Sequence, residues 1–509
     1  MSNLRALTRN ISWNYVQAGL SVVVYFLVTP VVVGRLGEVG FGIWVLLRAI
    51  LFCLRFLDFG FHNALVKYVA EYGERRDWRA VNGLAATTAS VLSIAGVAAF
   101  AASAVLAWFV VPYAFHVPAS RVAELQLATV MLGADLLLAF PASVIGAVFE
   151  GRQRFDVLSG VTMAGSIACA GATVLMLELG YGILALVAVE IGGTILTAGL
   201  SLALLRRLEP QIRLAFGPVG GPHLRRIRGY STWTSLNEIL AEGGAEVEKL
   251  LIPVILSVSL LTPYTLVCTV AAVIFLAIEP LTDAFFPLSS AYDAVGDQSR
   301  LKHLLMRGTK IVMAISLPLA VAVAAYGADF IVAWIGDPSV AAPAGVMPLI
   351  VASFTVTAFV LTASTILLAL ARVKEVFFMG IAELALAVGF VLTAVPRLGL
   401  AGLAGSLLAA NALVTFVWIV PYTCRLLGQS PMDFLSQALI RPLLPVVPMA
   451  AVVLWLNVQA PAASLPWLVF KSGVAGCVYL AAFYGLSLTA EERRLCQTGI
   501  RTAMARAPK

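Results

Sequence analysis

From Gly40 to Tyr72 the chain reads GFGIWVLLRAILFCLRFLDFGFHNALVKYVAEY, an apolar run that carries Arg48, Arg55, Asp58 and His62. At 100° per residue these four side chains project within a sector of roughly 80°, with Trp44 inside it and Asn63 outside it. A charged group near the bilayer centre costs roughly 2.5–3.5 kcal/mol on insertion scales, so a stripe of them must face a water-filled cavity or charged partners. An Arg55–Asp58 helix pair would neutralise itself but would leave Arg48 without a role. The stripe therefore reads as a cavity wall.

A second polar stretch, YSTWTSLNEILAEGGAEVEKLLIPVIL, begins at Tyr230. Glu238, Glu242, Glu246 and Lys249 again fall within roughly 80° of one another, while Glu248 points elsewhere. Gly243-Gly244 and Pro253 allow this helix to bend. It is either a solvated helix end with an ordinary Glu246–Lys249 pair or an opposing cavity wall. The next apolar run adds Glu279, Pro280, Asp283 and Pro287, whose prolines imply a kinked or broken helix. Buried carboxylates exchange protons with a cavity or neutralise a nearby lysine, so Asp58, Glu279 and Asp283 are candidate ion-coupling groups.

Catalytic patterns are missing. His62, His116, His223 and His303 form no cluster with metal-ligand spacing, and none pairs with an orienting partner as a general base. No G-x-x-x-x-G-K-[ST] phosphate loop occurs. The six cysteines fall singly, without the spacing of a disulfide framework or zinc site. The expectation is a non-enzyme with no cofactor and no metal. Gly34–Gly40, glycine-rich but placed between two apolar runs, is expected to be a tight hairpin rather than a nucleotide loop.

The elements that hold these residues must be membrane helices. The chain is 61% hydrophobic and 12% charged, with mean hydropathy +0.95, whereas soluble domains carry about 25% charged residues. The apolar runs exceed the spanning threshold and lack period-2 alternation, which excludes a barrel. Fourteen spans are expected; those that matter below are Trp13–Val33, Gly42–Tyr68, Ser231–Leu256, Tyr264–Ala291, Val376–Val395 and Leu400–Leu426. With this count, 27 of the 34 basic residues lie on one side, against Arg35, Arg121 and Arg397 on the other. The positive-inside rule then makes both termini cytoplasmic. Basic residues spread over short loops fit topology rather than nucleic-acid binding, and the N-terminus lacks the pattern of a cleaved signal peptide.

Internal repetition organises the spans. Leu179-Gly180-Tyr181-Gly182 aligns with Leu398-Gly399-Leu400-Ala401 at an offset of 219, Arg206 falls on Arg425 at the same offset, and Trp13 and Trp233 lie 220 apart. Four parts are expected: an N-terminal six-helix lobe, 1–205; a basic cytoplasmic linker, 206–229, with a short interfacial helix; a C-terminal six-helix lobe, 230–427; and two accessory helices with a basic tail, 428–509. Parallel repeats of this kind are related by an axis along the membrane normal. Lys471, in the last span, either snorkels to an interface or faces a groove.

Over about two-thirds of its length the chain resembles the polysaccharide-type lipid-linked oligosaccharide flippases, the O-antigen and exopolysaccharide branch of the multidrug/oligosaccharidyl-lipid/polysaccharide exporter superfamily. The resemblance rests on Arg35-Leu36-Gly37 with Gly40-Phe41-Gly42-Ile43-Trp44, Leu57-Asp58-Phe59-Gly60, Tyr68-Val69-Ala70-Glu71, Phe286-Pro287-Leu288-Ser289, Ala333-Trp334-Ile335-Gly336, the run Ile366 to Arg372, and Gly399 to Gly405. It implies two six-helix lobes forming a V around a central cavity, an accessory helix pair and no ATPase domain. It also implies transfer of undecaprenyl-diphosphate-linked sugar units across the bacterial inner membrane by alternating access. The positions matching the family's diphosphate-holding cations are Arg48, Arg55 and Lys249; Asn14, Gln17, Trp44 and Asn237 are candidate sugar contacts. The expected partners are the lipid-linked sugar and the bilayer, with a polysaccharide polymerase and glycosyltransferases as further candidates. The chain departs from its relatives in placing Glu246 and Glu248 beside Lys249, where they often carry one acidic residue.

Two alternatives share the superfamily. A cation-coupled multidrug exporter would use Asp58, Glu279 and Asp283, but the two extra spans, Arg48 and Arg55 count against it. A peptidoglycan lipid-precursor flippase would carry the same diphosphate lipid. A membrane glycosyltransferase or polymerase needs a large loop bearing catalytic acids, and no extramembrane stretch much exceeds Arg206–Gly229.

Overall fold

The computed structural model describes residues 2–218, 240, 243–244, 246–459, 464–488 and 493, with side chains from residue 13 onward apart from Asn14 and Tyr15. The described residues are helical with no strand, and they form two compact units, Met1–Thr262 and Pro263–Lys509. The protein is a multi-pass membrane protein: eleven of the described helices are long and apolar enough to cross a bilayer. Two of these, Val16–Asp58 and Val373–Leu426, each cover two of the fourteen expected spans. The expected span Ser231–Leu256 lies largely outside the described residues.

Helix α1, Ser2–Arg55, shows why one assigned helix covers two spans. Its apolar stretch Val16–Asp58 has 43 residues, which would run about 65 Å against a hydrocarbon core of about 30 Å. Gly37, at φ 71° and ψ 177°, breaks it into two bilayer-length halves. That backbone conformation is essentially reserved for glycine. The expected hairpin over Gly34–Gly40 thus reduces to one residue, with helix assigned on both sides of it.

The first unit also holds α2 Phe61–Glu74, α3 Trp78–Val105, α4 Val111–Ala114, α5 Ala119–Gly151, α6 Phe155–Glu178 and α7 Ile183–Leu208, and residues 246–255 are helical as well. Helix α5 packs against α2, α3 and α7, and α6 packs against α1 and α7. In lipid, where apolar surface gains little by leaving the solvent, helices associate through close packing of small residues. Gly133 of α5 accordingly faces Ser103 of α3, and Gly165 of α6 faces Thr197 of α7.

The expected linker is not free at its start. Residues 209–218 form an extended strap along α3; the rest of the linker, within which a short interfacial helix is expected, lies outside the described residues. The Asn82 side chain donates to the Gln211 carbonyl (3.0 Å) and accepts from the Arg213 amide (2.9 Å). Further along, the Gly217 amide donates to the Ala86 carbonyl (3.1 Å) and the Ser90 hydroxyl donates to the Gly217 carbonyl (2.8 Å). Ile212 is buried, and Glu209 is buried against Arg152 (3.4 Å).

Expected span Tyr264–Ala291 is broken, in keeping with its prolines, into α8 Leu261–Ala271, α9 Val273–Asp283 and α10 Phe285–Ala294. Pro287 sits in the first turn of α10, where its missing N–H costs nothing. Then come α11 Gln298–Ile335, α12 Val346–Ala369, α13 Val373–Val414, α14 Val420–Leu426, the short α15 Pro431–Leu435 and α16 Arg441–Leu443, and the accessory pair α17 Val446–Gln459 and α18 Leu465–Leu486. Gly399, at φ 57° and ψ −137°, breaks α13 as Gly37 breaks α1. The core of this unit gathers Phe359, Phe416 and Phe434, with ring centroids 5.7 and 5.6 Å from Phe359. Helix α18 packs on α17 and α11. Lys471 of α18 is fully buried, its Nζ 3.5 Å from Asn457 Oδ1 and 5.6 Å from the Tyr326 ring centroid. It therefore neither snorkels nor faces a groove, and α18 is docked around it.

Two turns recur in the two units. Arg76 (φ 57°) and Gly296 (φ 68°) are both left-handed. Each is followed by an aspartate, Asp77 or Asp297, whose Oδ1 accepts from the amide three residues on at 3.0 Å. Gln153 (φ 57°) and Ala371 (φ 58°) form the second pair. The three backbone bonds of Arg152, Gln153 and Arg154 reappear at Leu370, Ala371 and Arg372, 218 residues on.

Candidate functional site

The second half of α1 is nearly all buried from Phe41 to Leu54, and Arg48 and Arg55 are its exposed positions in that stretch and the residue after it. At 1.5 Å per residue from the Gly37 break, Arg48 lies about 16 Å along the helix and Arg55 about 27 Å, mid-depth and near the far interface respectively. Phe52 and Phe56 meet edge to face (4.9 Å) beside them.

The expected stripe does not continue past Arg55. Residues Phe56–Asp58 tighten into a 3-10 turn, and Phe59 (φ 49°) and Gly60 (φ 70°) are left-handed before α2 starts. Helical periodicity ends there, so Asp58 and His62 leave the face shared by Trp44, Arg48 and Arg55. They join a separate group instead. Asp58 Oδ1 accepts from the His62 amide (3.3 Å), and His62 Nε2 lies 3.3 Å from both carboxylate oxygens of Glu150 on α5.

Two of the three expected phosphate ligands already hold a carboxylate. Arg48 pairs with Glu190 of α7 through Nη1 and Oε1, and its guanidinium lies 5.9 Å from the Trp44 ring centroid. Lys249 pairs with Glu246 one turn away at 2.6 Å, so Lys249 is a charge-matched helix pair rather than a free cation. Among the described residues no carboxylate pairs with Arg55; it interacts electrostatically with Arg48, Glu190 and Asp135. Asp135 of α5 is 1% exposed. Neither of its oxygens has a donor at hydrogen-bond geometry, the neighbouring hydroxyl being Thr194. Glu190 Oε2 is likewise buried without a hydrogen-bond partner.

Glu190, Asp135 and Glu150 went unread in the sequence. The signal was there: Asp135 and Glu190 are lone acids inside the apolar stretches Gly133-Ala134-Asp135-Leu136 and Val187-Ala188-Val189-Glu190-Ile191, and such residues are functional candidates by default. Glu383 of α13 is a fourth case, a carboxyl in an apolar helix of the second unit.

The other expected residues scatter. Gln17 is half-buried on the first half of α1, its carbonyl accepting from the Ser21 hydroxyl (3.0 Å). The Asn14 side chain, Asn237, Glu238 and Glu242 lie outside the described residues. Glu279 and Asp283 are exposed on α9, in the second unit. No group of three or more metal-ligating side chains occurs among the described residues.

The family model described as "Polysaccharide biosynthesis protein" matches residues 32–338, the segment that holds both arginines, Glu190 and the Glu246–Lys249 pair. No curated protein matches the sequence. Among solved structures, the chain is similar in fold to the lipid II flippase MurJ in an inward closed conformation, at TM-score 0.68 and 10% identity, covering 93% of this chain and 99% of that one. It is also similar to an inward-facing multidrug resistance MATE family transporter of the MOP superfamily, at TM-score 0.66 and 14% identity, covering 80% and 94%. A third is the Vibrio cholerae MATE transporter VcmN, at TM-score 0.58 and 11% identity, covering 85% and 99%.

Proposed function

The chain belongs to the polysaccharide biosynthesis protein family, and from that premise we propose that it is a flippase for undecaprenyl-diphosphate-linked oligosaccharides, working by alternating access in the bacterial inner membrane. The observation that carries this reading is the exposure of Arg48 and Arg55 on an otherwise buried membrane helix. An arginine exposed at mid-depth is costly against lipid and is favoured against water or an anion. A lipid-linked diphosphate supplies that anion in a geometry a guanidinium matches with two parallel hydrogen bonds. At an effective dielectric of 20, one such contact at 4 Å is worth about 4 kcal/mol before desolvation.

In this reading the protein performs no covalent chemistry. Arg55 receives the diphosphate first, Arg48 completes its coordination, and Trp44, Gln17, Asn14 and Asn237 meet the sugar while the isoprenoid stays in lipid. The charged headgroup favours whichever conformation lets both arginines reach it, which biases the exposed face. Counting each half of α1 and of α13 gives thirteen crossings, and the expected span Ser231–Leu256, largely outside the described residues, makes the fourteenth that leaves both termini in the cytoplasm. A polymerase and glycosyltransferases are the partners that would consume and supply the cargo.

Reconstitution into liposomes with defined lipid-linked cargoes tests the proposal. Arg55→Ala should fold normally and lose most translocation of an oligosaccharide-linked lipid. Unchanged transport would remove Arg55 from the mechanism. A cargo bearing a peptidoglycan precursor, run in parallel, addresses the reading favoured by the likeness to MurJ. Cationic-drug efflux addresses the reading favoured by the MATE folds and by the exposed carboxylates Glu279 and Asp283.

A further inference from the structure

The strap that follows α7 turns back toward the membrane. Helix α7 ends at Leu208 with Arg206 and Arg207 in its last turn, and residues 209–218 then run beside α3 in the direction in which α3 enters the bilayer. Gln211 and Arg213 lie at Asn82, whereas Gly217 lies one and two turns deeper, at Ala86 and Ser90. The lengths agree: the four extended residues from Arg213 to Gly217 cover about 13 Å, and α3 rises about 12 Å from Asn82 to Ser90.

The apolar helical run Trp78–Ala114 has 37 residues, about 55 Å of helix against a hydrocarbon core of about 30 Å. Centred on that core, it leaves about eight residues in the headgroup layer at each end. Asn82 is then at headgroup level and Ser90 just inside the acyl boundary. Non-helical backbone persists at such depth where protein groups take up its peptides, and α3 supplies those groups. Asn82 serves both Gln211 and Arg213, while the Ala86 carbonyl and the Ser90 hydroxyl serve Gly217.

The outward face of this segment is cationic with an aromatic tip. Arg206, Arg207 and Arg213 are exposed, and Phe216, beside Gly217 at the deep end, is 75% exposed. The one acid of residues 206–218, Glu209, is turned inward onto Arg152 and Gln211. We propose that residues 206–218 form a binding surface for anionic phospholipids of the adjoining leaflet, which is cytoplasmic in the proposed topology. Arg206, Arg207 and Arg213 hold headgroup phosphates, and Phe216 is seated among the upper acyl carbons. Guanidinium matches phosphate with parallel hydrogen bonds. A zwitterionic headgroup would bring its own cation up against the arginines, so the surface selects lipids of net negative charge. A phenyl ring at acyl depth beside cations at headgroup level is the arrangement of an interfacial anchor rather than of a face for a soluble partner.

The test places an indole at the deep end of the strap. Full-length protein carrying Phe216→Trp is reconstituted into bilayers of equal phosphatidylglycerol and phosphatidylcholine, with bromine on the acyl chains of one lipid or of the other. Emission of the native protein in the same bilayers subtracts the nine native tryptophans. Brominated phosphatidylglycerol should quench the added indole more strongly, by a local preference of about fivefold for each arginine engaged, and high salt should reduce that preference. Arg206→Gln, Arg207→Gln and Arg213→Gln together on this background should keep the quenching and make the two lipids equivalent; if that variant does not fold, the salt dependence decides. Equal quenching by the two lipids with the arginines intact, or quenching by aqueous acrylamide with none by bromine, overturns the inference.

Discussion

The backbone of α1 at Gly42 runs so close to that of Val258 that a β-carbon on Gly42 would sit 2.1 Å from the Val258 carbonyl oxygen. Nearby the Thr262 hydroxyl donates to the Glu38 carbonyl at 2.6 Å, and the His116 amide donates to the Pro253 carbonyl at 2.7 Å. These contacts clasp residues 253–262 to the rest of the first unit. A methyl group at 42 meets backbone that cannot swing aside, so Gly42→Ala should cost about 1–3 kcal/mol, the usual range for overpacking. Gly42→Val should cost more. Denaturant-driven unfolding in detergent measures both.

At Gly37 the reason for glycine is different, since nothing lies within 4 Å of its virtual β-carbon. Only the backbone angles forbid a side chain. Gly37→Ala should cost about 1–3 kcal/mol, and Gly37→Ser should cost about the same. A penalty that climbs with side-chain volume would mean that packing, not conformation, governs this break.

The two aspartate-capped turns offer an internal control. Asp77→Ala and Asp297→Ala remove equivalent caps, and each should lower stability by about 1 kcal/mol. Arg76→Gly should be neutral or stabilising by up to about 1 kcal/mol, because a left-handed residue with a β-carbon is strained. Gly296→Ala should do the opposite. Opposite signs at the two equivalent positions, read by thermal unfolding, check that the turns are the same.

Lys471 has no solvent exposure, and its ammonium rests by Asn457 and the Tyr326 ring. Lys471→Met preserves the stem and removes the buried charge, so it should stay within about 1 kcal/mol of the native protein. Lys471→Ala leaves a cavity and should cost about 2–5 kcal/mol. Equal losses in both variants would show that the ammonium, rather than the packing of its stem, docks α18.

Arg48 and Arg55 should tolerate lysine differently in transport. Arg55, unpaired among the described residues, is assigned a bidentate phosphate contact. Arg55→Lys should therefore keep part of the charge attraction and lose the fork geometry, reducing transport about tenfold. Arg48→Ala strands Glu190 beside Asp135, and Arg48→Ala with Glu190→Ala relieves that. The double variant should express and fold better than the single one, as seen by size-exclusion profiles.

Periodic, local properties were legible in the chain itself. Membrane crossing, the turns at glycine, and the common face of Trp44, Arg48 and Arg55 follow from residue type and helical spacing, which depend on a few neighbours. The repeat at an offset near 219 is also local, because each copy encodes its own turns. What the tertiary structure decided was the company each charge keeps. Glu190 is 142 residues from Arg48, and no spacing rule reaches that far. The left-handed Phe59 and Gly60 ended a helix that periodicity would have carried through Asp58 and His62. Lys471 looked like an interfacial lysine until α11 and α17 closed over it. Pairing and burial are set by which helices pack together, and that is settled by the chain as a whole rather than by any stretch of it.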